Sequence, residues 1–538
     1  MLNLFKYNPH KNKQFRQGQE KAILDMLKLY DNDKKIITLN SPTASGKGTM
    51  LYVLGRIFEK EYNLENITFT SPQVALISEG NLFDLPKLVG KGNYPCLAIK
   101  DICADECPFT SKEEGFSICK DCPHRLAKAR YKQAKFGATT FSRYSTDPSI
   151  FMETSVLLVD ESSDLEGELL KKATIELNLD LKSITKQRNI KDQVTDLQKY
   201  LSNFDVKSHL QKRSDELQLT VGHLSKQCKE YRSECFKSGR RPTSSEIKHL
   251  KNIQHEYNHY HRMETACGHA LRYLKLEVPY VLTVDIEETY EPMLMKKVPK
   301  PIPYFKLLDS HVCFGDLIAN LDCIVLASGT PTTELVTSKS SEVKVEHPIP
   351  VDRRLIYYEP VGSMNLASRE VTARPMAQRI AELHKTFSKH TLVHCGSYLV
   401  ARLLDEHLCN LHNNVICQEQ GYREKALTDW QKSDDCIFLS VNYEKGISCD
   451  GPEYPLNLIG KIPFPNFGDT WVTKRNALDS QQWYLKSTIV SVQQACGRTT
   501  RSPDDFSLTY ILDSSFYYLY NRNKHLFQDW FKQALIII

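Results

Sequence analysis

A short apolar run, Ile36-Ile37-Thr38-Leu39, leads into Asn40-Ser41-Pro42-Thr43-Ala44-Ser45-Gly46-Lys47-Gly48-Thr49 and then into the helix-like Met50-Leu51-Tyr52-Val53-Leu54. A strand that turns tightly into a helix aims several backbone N–H groups and the positive end of the helix at one point. A lysine at the turn adds a compact positive charge, so the stretch reads as a loop that cradles phosphates, with Lys47 at the β- and γ-phosphates. The usual pattern is altered in two places. Ser41 stands where the first glycine of G-x-x-x-x-G-K-[ST] is expected, and Gly48 stands where the magnesium-binding hydroxyl is expected, with Thr49 one place later. A plain Ser/Thr/Gly-rich turn opening an ordinary helix is the competing reading, and the rest of the chain decides between them.

At 538 residues the chain exceeds what one core serves, because cores stop growing at about 250–300 residues. Three or four folding units are expected. Hydrophobic residues at 41% and charged residues at 25% exclude wholesale disorder. A formal net charge of +5 is small for this length, so any surface for nucleic acid must be local. The start, Met1 to His10, has no long apolar core, and no stretch approaches the roughly 20 apolar residues that cross a bilayer, so a cytoplasmic protein is expected. Sixteen cysteines in such a chain do not read as a disulfide framework. Five fall between Cys96 and Cys122, and the other eleven are scattered from Cys228 to Cys496, mostly beside apolar residues, as small buried hydrophobes would be.

Ahead of the phosphate loop, Phe15 to Leu24 begins a pattern of helical spacing and carries Arg16 and Gln19; a glutamine there could hydrogen-bond an adenine. A second strand-like run, Ile67-Thr68-Phe69-Thr70-Ser71-Pro72-Gln73, ends in polar turn residues. From Gly90 to Cys122 apolar periodicity disappears, and Cys96, Cys103, Cys107, Cys119 and Cys122 accumulate. Such a segment can bury little core, and metal-binding free energy would give it a reason to fold. Zinc and an iron–sulfur cluster both accept four thiolates. Cys103, Cys107, Cys119 and Cys122 would suit zinc, whereas Cys96, Cys107, Cys119 and Cys122 would leave Cys103 spare. Ser155-Val156-Leu157-Leu158-Val159 is then an apolar strand ending in Asp160-Glu161. A buried parallel strand presents acids in this way, the first to hold magnesium and the second to polarise the attacking water.

From Leu165 to about Tyr273 the chain is polar, helical and poor in glycine, which reads as an inserted helical domain; the turn Gly239-Arg240-Arg241-Pro242 reads as a solvated loop. Glu277 to Phe305 is mixed and proline-rich and reads as the return path. Ile324-Val325-Leu326-Ala327-Ser328-Gly329-Thr330-Pro331 again delivers hydroxyl residues to a loop. A second α/β unit follows, with strands at Thr391–His394 and Cys436–Val441. Near its end, Val492 to Ser502 carries Gln494, Arg498 and Arg501; three residues apart, the arginines would share one helical face and could address one anion.

In this order the residues resemble the XPD/DinG family of iron–sulfur superfamily 2 DNA helicases, over nearly the whole chain. Arg16-x-x-Gln19 resembles the family's Q motif, Ser41 to Thr49 motif I, Thr70-Ser71-Pro72-Gln73 motif Ia, Asp160-Glu161-Ser162-Ser163 the DEAH-type box, Ala327-Ser328-Gly329-Thr330 motif III, and Gln494 to Ser502 motif VI. Asn93-Tyr94-Pro95-Cys96 resembles the opening of its iron–sulfur domain. The resemblance implies an α/β fold: two RecA-like parallel-sheet domains with an inserted cysteine-rich iron–sulfur domain and an inserted helical Arch-like domain. By position the first RecA-like domain would be 1–89, 136–165 and 306–345, the cluster domain 90–135, the Arch-like insertion 166–305, and the second RecA-like domain 346–538. Lys445-Gly446-Ile447-Ser448 departs from the family's usual Glu-Gly-Ile-Asp, and Ser162-Ser163 from its usual Ala-His.

What the resemblance implies is ATP-driven, 5′-to-3′ translocation on single-stranded DNA with unwinding of forked duplex, by a monomer. Arg16, Gln19, Ser41, Pro42, Thr43, Ala44, Ser45, Gly46, Lys47, Gly48 and Thr49 would bind ATP. Lys47, Asp160, Glu161, Gln494, Arg498 and Arg501 would be catalytic, with Asp160 on Mg2+. Cys96, Cys107, Cys119 and Cys122 would hold a [4Fe-4S] cluster, with Cys103 as alternate for Cys107 and zinc as the alternative metal. Two other classes fit the altered motifs: an ATPase that remodels nucleoprotein without unwinding, and a zinc-stabilised single-strand-binding protein with a degenerate nucleotide site.

Overall fold

The structure, a computed structural model, describes all residues except 1–2, 11–13, 73, 75–76, 78–83, 98–102, 105–120, 237–242, 292–295, 331–339, 388–389, 442–453 and 500–505. The strands in chain order are β1 (Ile36–Asn40), β2 (Ile67–Ser71), β3 (Lys87–Leu88), β4 (Phe136–Thr140), β5 (Val156–Val159), β6 (Ile175–Glu176), β7 (Tyr280–Glu291), β8 (Lys296–Leu307) and β9 (Cys323–Ser328). They continue with β10 (Ser340–Lys344), β11 (Ile356–Gly362), β12 (His390–His394), β13 (Val415–Cys417), β14 (Cys436–Ser440), β15 (Leu456–Ile459), β16 (Leu508–Asp513) and β17 (Leu535–Ile537).

Among the described residues two seven-stranded sheets form, with orders β10-β1-β9-β5-β2-β4-β3 and β13-β14-β12-β15-β16-β11-β17. Their registered pairings are parallel: β1 with β10, β2 with β4 and β5, and β12 with β14 and β15. The central strands read as unbroken apolar runs because helices cover both faces. β5, β9 and β14 are buried along their whole length. These are the two RecA-like parallel sheets of the expected α/β fold.

The chain divides into two compact units, residues 1–54 with 326–468 and 476–538, and residues 55–325 with 469–475. In the first, the second sheet packs its core through Ile437, Leu439, Leu456 and Leu458 against the helix Tyr398–Leu408 and the helix Arg369–Phe387. The apolar tail Leu535–Ile537 is an added strand, parallel to β11.

In the second unit, the polar segment after Leu165 is helical as expected. Its longest pieces, Val206–Phe236 and Ser244–Lys275, pack together through Leu224, Cys228 and Ile253 with Tyr231, Tyr257 and Tyr260 alongside. Thr243 and Glu246 close a reciprocal capping box at the start of the second helix. The return path is more regular than its composition suggests. β7 and β8 form an antiparallel hairpin paired from Tyr280↔Leu307 to Glu291↔Lys296. Composition hides it because Pro299, Pro301 and Pro303 alternate along β8. The Leu177 N–H donates to the Pro303 carbonyl on the side where β6 pairs. The three proline nitrogens, which carry no N–H, therefore face away from β7, and the ladder with β7 loses no donor to them. No helix among the described residues is long and apolar enough to cross a membrane.

Candidate nucleotide site

The phosphate loop is built from its own side chains. β1 ends at the buried Asn40, and the Ser41 N–H donates to the Ser328 carbonyl at 2.9 Å, which ties the loop to the end of β9. Ser45 Oγ donates to the Pro42 carbonyl at 2.6 Å and also meets Ser41 Oγ, so the serine in place of the first glycine braces the turn. Ala44 at φ 66° and Gly46 at φ 77° are left-handed, which bends the backbone sharply into the helix Lys47–Lys60. At Gly46 an added Cβ would also collide with the Gln19 amide, so glycine is required there twice over.

Gln19 is buried, and both ends of its amide are engaged. Nε2 donates to the Ser45 carbonyl at 2.7 Å, and Oε1 accepts from the Arg16 N–H at 2.9 Å. The Arg16 guanidinium reaches the Ala44 carbonyl. These two residues thus brace the phosphate loop from outside, a use that the adenine reading of Gln19 did not include.

Within the same compact unit, the residues at the far end of the sequence meet this loop. Gly497 stands so close to Thr43 that a Cβ there would lie 2.9 Å from Thr43 Oγ1. Gln494 Nε2 donates to Thr330 Oγ1 at 3.3 Å, and the Thr330 N–H donates to Ser328 Oγ. Gly329 fits beneath the loop, its absent Cβ 3.4 Å from the Ser41 carbonyl. The helix carrying Gln494 runs from Gln482 to Cys496 and stops at Gly497. Arg498 therefore lies in the turn after the helix, which corrects the expectation that it shares a helical face with Arg501. Gly497 is the C-cap of that helix. Arg501, Cys107 and Cys119 lie outside the described residues.

Polar residues that sequence reasoning did not select hold this end of the site. Asn457, in the middle of β15, accepts through Oδ1 from His394 Nε2–H at 3.0 Å and donates through Nδ2 to the Ala495 carbonyl at 2.9 Å and to Thr509 Oγ1 at 3.3 Å. Burial, then the charge of Arg498, pushes the His394 imidazole down to about 4, so it is neutral at pH 7. Asn40 donates to Gln528 Oε1 at 2.8 Å, and the Gln528 N–H donates to Gln493 Oε1 at 2.7 Å. A chain of side-chain amides thus links the phosphate loop to the helix Gln482–Cys496. Single polar residues inside apolar strands were the available signal.

In the second unit β5 ends at Val159, and the N–H of the next residue, Asp160, donates to the Thr70 carbonyl. Asp160 Oδ1 accepts from the Glu161 N–H at 3.0 Å, and Glu161 is left-handed at φ 51°. For a non-glycine residue that conformation is uncommon, and it turns the chain immediately into the short helix Ser162–Asp164.

Three of the five clustered cysteines are described, and all are partly exposed. Pro95 and Cys103 form an isolated antiparallel bridge, which brings the backbone at Cys103 beside the residue before Cys96. Cys122 is the N-cap of the helix Pro123–Gln133, where the helix end favours a negatively charged ligand. Among the described residues these three sulfurs do not gather within 4.8 Å of one another.

Residues 380–534 match the helicase C-terminal domain family. No curated protein matches the sequence significantly. Among solved structures, Xpd4 from S. tokodaii is similar with a TM-score of 0.54 at 15% identity, covering 97% of this chain and 100% of that one. An XPD helicase structure is similar with a TM-score of 0.55 at 14% identity, covering 98% and 100%, and apo XPD with 0.53 at 13%, covering 97% and 99%. Residues 380–534 are thus of helicase C-terminal type, and the chain as a whole shares its fold with these XPD structures.

Proposed function

We propose that the protein is an ATP-dependent helicase that moves along single-stranded DNA, 5′ to 3′, and opens forked duplex. The observation that carries the reading is the meeting of Gly497 with Thr43 and of Gln494 with Thr330 around the Ser41–Thr49 loop. In this reading Lys47 and the loop amides neutralise the β- and γ-phosphates, Asp160 holds Mg2+, and Glu161 orients the attacking water. Thr49 supplies the hydroxyl that Gly48 lacks. Arg498 and Arg501 meet the charge that develops on the transferred phosphoryl group, a contribution of about 10³–10⁵ in rate for such an arginine. Gln494 and Thr330 relay the presence of the γ-phosphate between the motifs, so that turnover is tied to closure of the two RecA-like domains on the strand. Stacking and backbone contacts grip the strand without reading its sequence.

Cys96, Cys107, Cys119 and Cys122, with Cys103 as alternate, would hold a [4Fe-4S] cluster, which cross-links a segment too polar to fold on its own core. The domain boundaries proposed from the motifs stand with this reading. The expected result is ATP turnover that rises on adding single-stranded DNA and falls to background in Lys47→Ala. Wild-type turnover in Lys47→Ala would overturn the assignment. Cys119→Ser is expected to lose visible absorption and protein-bound iron and to lose strand separation while retaining much of the ATPase; a colourless wild-type protein holding one zinc would replace the cluster with a structural zinc site.

A further inference from the structure

Away from the phosphate loop, three side chains from separate elements converge on one point of the second sheet. His384 lies near the C-terminal end of the helix Arg369–Phe387, His412 follows the helix Tyr398–Leu408, and Asp435 immediately precedes β14. Their ligand atoms all lie within 4.8 Å of one another, and His384 Nε2 is 3.0 Å from Asp435 Oδ1. The two imidazoles meet edge to face with centroids 4.5 Å apart. β13, β14 and β12 are adjacent and parallel, and the three residues sit at the edge where these strands begin. Ligands of the motor bind at the opposite, C-terminal ends of such strands.

We propose that His384, His412 and Asp435 form a binding site for one divalent transition-metal ion of the zinc class, a clip across three elements that the helicase reading does not require. Zinc binds imidazole nitrogen at about 2.0–2.1 Å and carboxylate oxygen at about 2.0–2.2 Å, so tetrahedral ligands stand about 3.4 Å apart. His384 and Asp435 already stand within that spacing, and the partly exposed His412 closes the rest by a side-chain adjustment. His384 is buried, while Asp435 is exposed and opens onto a cleft of about 650 Å³, which leaves the fourth position to water.

The partner of His384 on its other side fits the chemistry. Nδ1 is 2.7 Å from Thr391 Oγ1. A hydroxyl both donates and accepts. Without metal, Nε2–H donates to Asp435 and Nδ1 accepts from Thr391. With metal, Nε2 offers its lone pair and Nδ1–H donates to Thr391, the outer-shell bond that metal-bound histidines make. Two neighbours carry charge: Lys385 opposes a cation, and Glu382 is bound by Arg379.

The test uses the full chain, purified with its cysteine segment carrying its own metal and then titrated with Co2+ and Zn2+. The expected result is one equivalent of Co2+ with d–d bands of a nitrogen/oxygen site and no thiolate charge transfer, displaced by Zn2+. Asp435→Asn and His412→Ala, both at exposed or partly exposed positions, are expected to weaken binding tenfold or more, in the range seen when metal-site partners are removed. His384→Ala is expected to abolish it; if that variant does not fold, the other two decide. Absence of these bands, or bands unchanged in both Asp435→Asn and His412→Ala, would overturn the site and leave a hydrogen-bonded His–Asp pair.

Discussion

Asn457 serves three partners from inside an apolar strand, and its loss would leave the His394 imidazole buried without a hydrogen bond and take one donor from the Ala495 carbonyl. Asn457→Ala is therefore expected to cost about 2–4 kcal/mol, read as a lower urea midpoint, and to loosen the turn that carries Arg498. His394 also sets an acid limit. Its folded basicity, about 4, lies below the ordinary histidine value, as does that of His347, pushed down to about 3 by burial and then by Arg354. The unfolded chain takes up these protons first, so stability is complete above about pH 6.5 and falls as pH drops toward 4, by about 1.4 kcal/mol per pH unit for each histidine. Urea midpoints between pH 7 and pH 5 check this, and His394→Asn is expected to fall less steeply by one proton's worth; an equal slope would contradict it. The positions of Lys47 and Asp160 just after buried strands were legible because a strand, a turn and a charged residue recur in a fixed local order. His394, Asn457, Asn40 and Gln528 were not, because their partners are brought together only by the fold. Arg498 was misplaced on a helix because the helix period was extended through Gly497.

At the scale of elements, long apolar strands and the polar helices of the insertion followed from periodicity, since burial on two faces or on one stripe leaves a distinct pattern. The β7–β8 hairpin did not, because prolines normally argue against strands. Here their nitrogens face the edge that β6 covers only near Pro303, and Pro299 and Pro301 leave that edge without donors at their positions. Removing donors protects an open edge from pairing with another chain. Pro299→Thr, at an exposed position, is expected to leave the melting temperature nearly unchanged while increasing concentration-dependent light scattering. Unchanged scattering would mean that the prolines serve only the packing of Pro301 and Pro303. The capping box at Thr243 offers a second local check. Thr243→Ala is expected to cost about 1 kcal/mol, in the helical insertion alone.

At the scale of the whole molecule, the order of motifs was the legible feature, and it is the order that a strand-by-strand parallel fold imposes on loops at one rim of each sheet. The phosphate loop and the Gln494–Arg498 turn are separated by more than four hundred residues, yet Thr43 and Gly497 stand in contact range. The altered loop, with Ser41 and Gly48, is held by its own contacts as well: Ser41 braces Ser45, and the loop is supported by Gln19. The measurement that tests the central claim most directly is strand separation of a forked DNA duplex with a 5′ single-stranded tail, comparing the wild type with Lys47→Ala at saturating ATP and Mg2+. Separation by the wild type that requires ATP and is lost in Lys47→Ala is the predicted result; ATP turnover stimulated by single-stranded DNA without any strand separation would contradict the helicase reading and leave a nucleoprotein-remodelling ATPase in its place.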